Sequence, residues 1–208
     1  MATFKQGILG GFSGKVGGVI GSSWKGIDTM RSQPSSVTNP RTNAQVANRS
    51  RFKSVSQLAA AMLTTIVKPL NDRFAQKMSG FNDFCQRNAS AFDALGAFVP
   101  ANLVLSRGKL SAPSTVAQET SSAVEVFVGF SPDLSGSFDA ATDKVYAVVI
   151  GKNGDILGVS SGAFTRSDGE VAIPITEGRN ATDPGTAYLS FLRADGTQVS
   201  NSSYIALS

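Results

Sequence analysis

The chain has 208 residues, a net charge of +4 and no histidine. That length suits one or two domains and can bury a sizeable core. The missing histidine removes Ser-His-Asp and Cys-His mechanisms and His-containing zinc sites, and the lone cysteine, Cys85, cannot form an internal disulfide.

The N-terminal stretch from Gly7 to Arg31 holds eight of the 21 glycines and the only tryptophan, Trp24. GILGGFS is followed by GKVGGVI, a near-repeat. Helical spacing would give GxxxG pairs that let two backbones meet closely. Each interior glycine, however, costs about 0.5–1 kcal/mol against alanine in a helix. Extended chain fits better: Val16, Ile20 and Trp24 share one strand parity and Val19 the other. A strand ending at Trp24, a turn at Lys25-Gly26 and a return through Ile27 to Met30 make a hairpin. Glycine in strands marks close backbone approach, a bulge or another chain. An assembly interface is therefore expected at Gly14, Lys15, Val16, Gly17, Gly18, Ile20, Trp24 and Arg31, with a Cβ at Gly14, Gly17 or Gly18 expected to clash.

Residues 31–41 read as a linker with Pro34 and Pro40. Thr42 to Gln45 fits a capping box, and Asn39-Pro40 is the competing start. A first helix then runs to about Val67 on the apolar spacing of Phe52, Val55, Ala59, Met62 and Ile66. Pro69 breaks or kinks it. A second helix, about Leu70 to Leu95, carries Leu70, Phe74, Met78, Phe81, Cys85 and Phe92 on one stripe and is weakened midway by Gly80. The pair makes an antiparallel hairpin or one kinked rod. Phenylalanines at helical spacing are read as core or partner surface, and Cys85 as a buried thiol.

Beyond Val99 the pattern becomes β. Short strands are expected at 103–105, 124–130, 145–150, 156–159, 171–175, 187–192 and 199–205. Asn153-Gly154, Asp168-Gly169 and Asp195-Gly196 are hairpin dipeptides, and Pro174 marks an edge or a bulge. The fold class expected is α+β. A Gly-rich β-hairpin and two amphipathic helices (1–98) precede an Ig-like or fibronectin-III-like antiparallel sandwich (99–208). Asp155, Asp168, Asp183 and Asp195 lack calcium-loop spacing and sit where Asp favours turns.

Residues 1–98 hold 12 bases and 4 acids, and residues 99–208 hold 7 bases and 11 acids. This split points to a basic segment meeting a polyanion or an acidic surface, or to head-to-tail contact between copies. Arg41, Arg49, Arg51 and Lys53 form the candidate basic surface, with sparse aromatic interleaving. No catalytic group, cofactor site, metal site, phosphate loop or membrane span is recognised, and the start of the chain does not read as a secretory signal.

GILGGFSGKVGGVIGSSWKGIDTMRSQP, NPRTNAQVANRSRF and SRGKL at Ser106 to Leu110 together resemble a family of unknown function. Its members have roughly 200 residues, a one- or two-domain size, and occur mainly in Bacteroidota. Similar GKVG and NPRT-x-AQ openings occur in phage and prophage proteins. The resemblance brings no activity and no functional residues, and implies a helix-containing N-terminal module before a β-sandwich. The expected function is a non-enzymatic structural protein of a virion, cytoplasmic before assembly, whose partners are itself or other structural subunits. Nucleic-acid binding by the basic half is the alternative, and a cell-surface module a third.

Overall fold

The computed structural model describes residues 2–3, 12–36, 39–119, 124–176 and 185–207. The first part of the Gly-rich run, 7–11, and Asp183 lie outside the described residues. The fold is mixed α+β, with helices and three antiparallel sheets. It forms two compact units, residues 1–42 with 76–78, and residues 43–75 with 79–208.

The first unit is a four-stranded sheet of β1 (Ala2–Thr3), β2 (Gly14–Val16), β3 (Val19–Trp24) and β4 (Ile27–Ser32), in the order β1-β4-β3-β2. Two two-residue turns organise it. Lys25-Gly26 joins β3 to β4, with positive φ at both residues and Trp24 paired to Ile27. Gly17-Gly18 joins β2 to β3, with Val16 paired to Val19 and φ +57° at Gly17. Such turns match the twist of the flanking strands.

In the second unit α1 (Asn43–Ala61) leads into a π-helical turn (Leu63–Val67) and α2 (Lys68–Asn71). Pro69 neither breaks nor ends this segment: it occupies the first turn of α2, where its missing N–H costs nothing. The second helix is shorter than its apolar spacing suggested. α3 spans Gly80–Arg87, and Ser79 caps it by accepting the Asn82 N–H at 3.2 Å. Gly80 is thus a helix start rather than a weak midpoint. A Cβ there would lie 2.6 Å from the Asp72 backbone nitrogen.

Seven strands follow: β5 (Ser114–Gln118), β6 (Glu125–Ser131), β7 (Lys144–Gly151), β8 (Ile156–Thr165), β9 (Glu170–Pro174), β10 (Gly185–Leu192) and β11 (Ser203–Ala206). They form a sheet β11-β10-β7-β8 and a sheet β5-β6-β9. Pro174 ends β9, an edge strand, where the lost donor is tolerated. Asp168-Gly169 turns a corner between the two sheets rather than closing a hairpin. Leu103 and Leu105 are buried and Val104 half-buried, but residues 103–105 form no strand. Leu103 N–H donates to Pro100 O, and the next bonds go to side chains: the Asn88 amide bridges the N–H and C=O of Val104, and Asn71 donates to Leu105 O at 3.1 Å.

The helices lie in the same unit as these sheets, not in a module with the hairpin. Val145, Ala147, Val149, Ala187, Leu189 and Phe191 face the three-stranded sheet. The alternate residues Tyr146, Val148, Ile150, Tyr188 and Leu192 pack on Val55, Leu58, Met62, Ile66, Leu70 and Phe84 of the helical segment. The four-stranded sheet is therefore the middle of three layers. β10 is buried along its whole length, a pattern that two-sided burial requires.

The SRGKL segment is a seam of this unit. Ser106 is fully buried, donates to Ser200 O at 2.8 Å and meets the Ser190 hydroxyl. Leu110 N donates to Val199 O at 3.1 Å, and Gly108 N to Asn201 Oδ1 at 3.2 Å. At Gly108 the chain passes so close to the neighbouring backbone that a Cβ would sit 1.9 Å from Val199 O. Only glycine fits there.

Candidate functional site

Antiparallel pairing sorts the N-terminal sheet into two faces. Lys15, Ile20 and Arg31 are register partners across three strands, and Ser22 with Thr29 and Trp24 with Ile27 continue the same face. The opposite face carries Val16 and Val19, Gly14, Gly21 and Met30, then Ser23 and Asp28. Val16 thus lies opposite Ile20 and Trp24, not with them. The turn at Gly17-Gly18 makes β2 and β3 separate strands and resets the parity.

Among the described residues this sheet has no hydrophobic core. Gly21 is the only buried residue among the described residues of the unit. Trp24 is 60% exposed and Val16 64%. Arg31 and Lys15 are exposed, and Ile20 is half-buried. The Lys25 ammonium donates to the Met78 carbonyl.

The glycines divide by cause. A Cβ at Gly14, Gly17 or Gly18 would meet nothing within 4 Å, so no clash arises with the described residues. Gly17 is needed for its left-handed turn conformation instead. Close approach occurs at Gly21, where a Cβ would lie 2.6 Å from the Phe12 ring and carbonyl.

The candidate basic residues are divided between the two units. Arg41 precedes α1 in the first unit, whereas Arg49, Arg51 and Lys53 lie on α1 in the second. Arg49 and Lys53 are exposed, and Arg51 is half-buried. Its Nε is shielded from solvent and has no hydrogen-bond partner. Arg51, Asn48, Phe52, Val55, Cys85 and Ala89 line a 360 Å³ cleft between α1 and α3. Burial pushes the Cys85 thiol above its ordinary pKa, so this floor is uncharged at neutral pH. The described lining of the cleft offers apolar surface and one guanidinium, and no acid–base pair.

A second polar centre escaped the sequence reading. Arg166 is 1% exposed and lies between two buried carboxylates, 3.3 Å from Asp139 and 3.2 Å from Asp143. Its plane covers the Phe191 ring at 4.1 Å, and it donates to Asp133 O at 2.7 Å. Asp139 also accepts the Ser111 N–H at 3.0 Å and the Gly136 N–H at 2.8 Å. Burial pushes the Asp139 carboxyl up, but these bonds and the guanidinium hold it below the usual range. The cluster pins the loop between β6 and β7. A charged residue in a turn reads as surface; the sole signal was the recurrence of Asp at 133, 139 and 143.

Among the described residues no three His, Cys, Asp or Glu side chains converge as metal ligands, and no helix is long and apolar enough to cross a membrane. The chain matches the family described as a family of unknown function, DUF6266, over residues 11–206, and belongs to it. That match spans both units and includes the GKVGGVI turn, the start of α1 and the SRGKL seam. No curated protein and no solved structure matches the chain.

Proposed function

We propose that this DUF6266 chain is a non-enzymatic assembly protein, a virion or phage-derived structural component that self-associates or docks on partner subunits through its N-terminal sheet. The carrying observation is the exposure of the sheet. Among the described residues its strands expose Val16, Val19 and Trp24 and bury only Gly21. Small sheets need a covered apolar face to be stable, and exposed apolar surface marks interaction sites. The two faces suit different neighbours. The uncharged end around Val16, Val19 and Met30 fits a protein surface, whereas Lys15 and Arg31 would repel their own copies. The strand order of the larger unit favours a fibronectin-III-like reading. The first, second and fifth of its seven strands share one sheet, and the third, fourth, sixth and seventh share the other. The test is light scattering of the full chain after size exclusion at high concentration and low salt. A strictly monomeric species that also captures no partner sinks the proposal.

One observation favours nucleic acid as a second reading. Residues 29–71 contain six bases and no acid. Binding of that kind weakens steeply with salt, by about 0.7–0.9 log units per phosphate neutralised. Absence of retention on DNA and RNA at about 50 mM salt removes it.

A further inference from the structure

The cleft between α1 and α3 and the loop between β6 and β7 carry opposite charges beside apolar surface. Among the described residues the cleft has an apolar floor, Phe52 64% exposed beside it, and the partnerless Nε of Arg51. Asp93 accepts the N–H groups of Leu95 and Ala97 on one oxygen, Oδ1, at 2.8 Å each, and its carboxyl, held low chiefly by such backbone bonds, also feels the Arg51 charge. The cleft volume lies at the low end of the range of about 300–1,000 Å³ found for ligand pockets, room for about one or two side chains. The loop presents the opposite character. Leu134 is 52% and Phe138 45% exposed, next to the exposed Asp133, whose carboxylate accepts the Ser135 N–H at 3.0 Å and hydroxyl at 3.1 Å and retains further acceptor capacity.

Burying an arginine and two aspartates is costly unless geometry is good, and is weak evidence for stability as such. What the Arg166 cluster does is hold this loop in one shape, through Asp133 O, Gly136 N and Asp139. A loop fixed before binding loses little entropy on docking. Apolar side chains held outward on such a loop are a built knob.

We propose that the loop of one copy, carrying Asp133, Leu134 and Phe138, docks head to tail into the α1–α3 cleft of a second copy, with Asp133 meeting Arg51. The choice of a second copy rests on the charge split within this chain, in which an acid-free basic segment spans residues 29–71 and 11 of 15 acids lie beyond residue 98. Knob and cleft are different surfaces, so the contact is heterologous and builds a ring or a filament rather than a closed two-fold dimer. It is separate from the N-terminal sheet and adds to the contact proposed there.

Two full-length variants test this. One carries Arg51→Glu and Phe52→Ser, which spoil the cleft; the other carries Asp133→Lys, Leu134→Ser and Phe138→Ser, which spoil the knob. Each retains one working half, so they pair with each other but not with themselves. Tagged-chain capture at equal concentrations reads three pairings, and the mixed pairing is expected to exceed both self pairings by about tenfold or more. Both chains also carry Trp24→Ala, which weakens the contact proposed for the N-terminal sheet, and what remains of that contact is equal in all three pairings and is removed by subtracting the self-pairing signal. Equal capture in all three pairings overturns the proposal, with circular dichroism and melting as checks on folding. The charge reversal Arg51→Glu with Asp133→Lys in one chain is expected to restore self-capture relative to Arg51→Glu alone, and no restoration counts against the ion pair.

Discussion

Gly108→Ala isolates one cause of a structural requirement. The φ of Gly108 lies outside the left-handed region, so alanine adopts its backbone without strain. What it meets is the Cβ position, 1.9 Å from Val199 O and 2.6 Å from Val199 C and Cγ1. Two of those three atoms are backbone. They cannot rotate away, because Val199 O accepts the Leu110 N–H and Val199 pairs with Leu192. Overpacking typically costs about 1–3 kcal/mol, and a rigid obstacle places this site near 3 kcal/mol. For a unit of this size each kcal/mol moves Tm by about 2–4 °C, giving a drop of roughly 6–12 °C. Gly18→Ala is the matched control, since nothing lies within 4 Å and its φ is also outside the left-handed region; its change is expected within about 0.5 kcal/mol. Differential scanning calorimetry of the full chain reads both variants. A Gly108→Ala drop under about 2 °C, with Gly18→Ala unchanged, would refute the close-approach reasoning.

Trp24→Ala and Gly17→Val are expected to lower assembly by light scattering while leaving the main melting transition within about 0.5 kcal/mol, because neither side chain enters a core. Unchanged assembly in both variants would remove the N-terminal sheet from the interface. Arg166→Ala strands two buried carboxylates. It is expected to cost about 3–5 kcal/mol, on the order of 10 °C in Tm, and a shift below about 3 °C by circular dichroism would show the cluster to be replaceable. The pH dependence has a definite sign. The folded Asp139 pKa lies below its unfolded value of about 3.9. Its contribution is therefore complete at neutral pH and disappears as pH falls through the folded value. Tm is expected to hold from pH 7 to about 5 and to fall below about 4, more steeply than in Asp139→Asn. Parallel acid profiles for the two proteins would discount the shift.

Local turn chemistry was the most legible part of the chain. Lys25-Gly26 reverses the chain because two residues of positive φ suit a tight hairpin, and Pro174 falls on an edge because it has no N–H to give. Parity across Gly17-Gly18 was misread because a glycine pair inside an apparently continuous extended run does not announce a turn. β5 was missed because Ser114–Gln118 is largely exposed and lacks apolar alternation. The shared core of helices and sheets had a signal: KVYAVVIG is apolar on both parities, as a strand covered on two sides must be. Nothing comparable marks Arg166, since its burial depends on carboxylates 23 and 27 residues earlier in the chain, at Asp143 and Asp139. The cleft at Arg51 was foreshadowed only as basic surface. Its floor comes from α3, whose true extent the phenylalanine spacing concealed.

β7 and β10 each contribute alternate side chains to two separate cores, so neither core can melt while the other keeps its wall. The amides paired between Val145–Ile150 and Thr186–Phe191 are accordingly expected to exchange with deuterium only through global opening, at one common free energy. Damage on the helical side, for instance at Met62, then registers in the exchange of amides whose neighbours face the opposite layer.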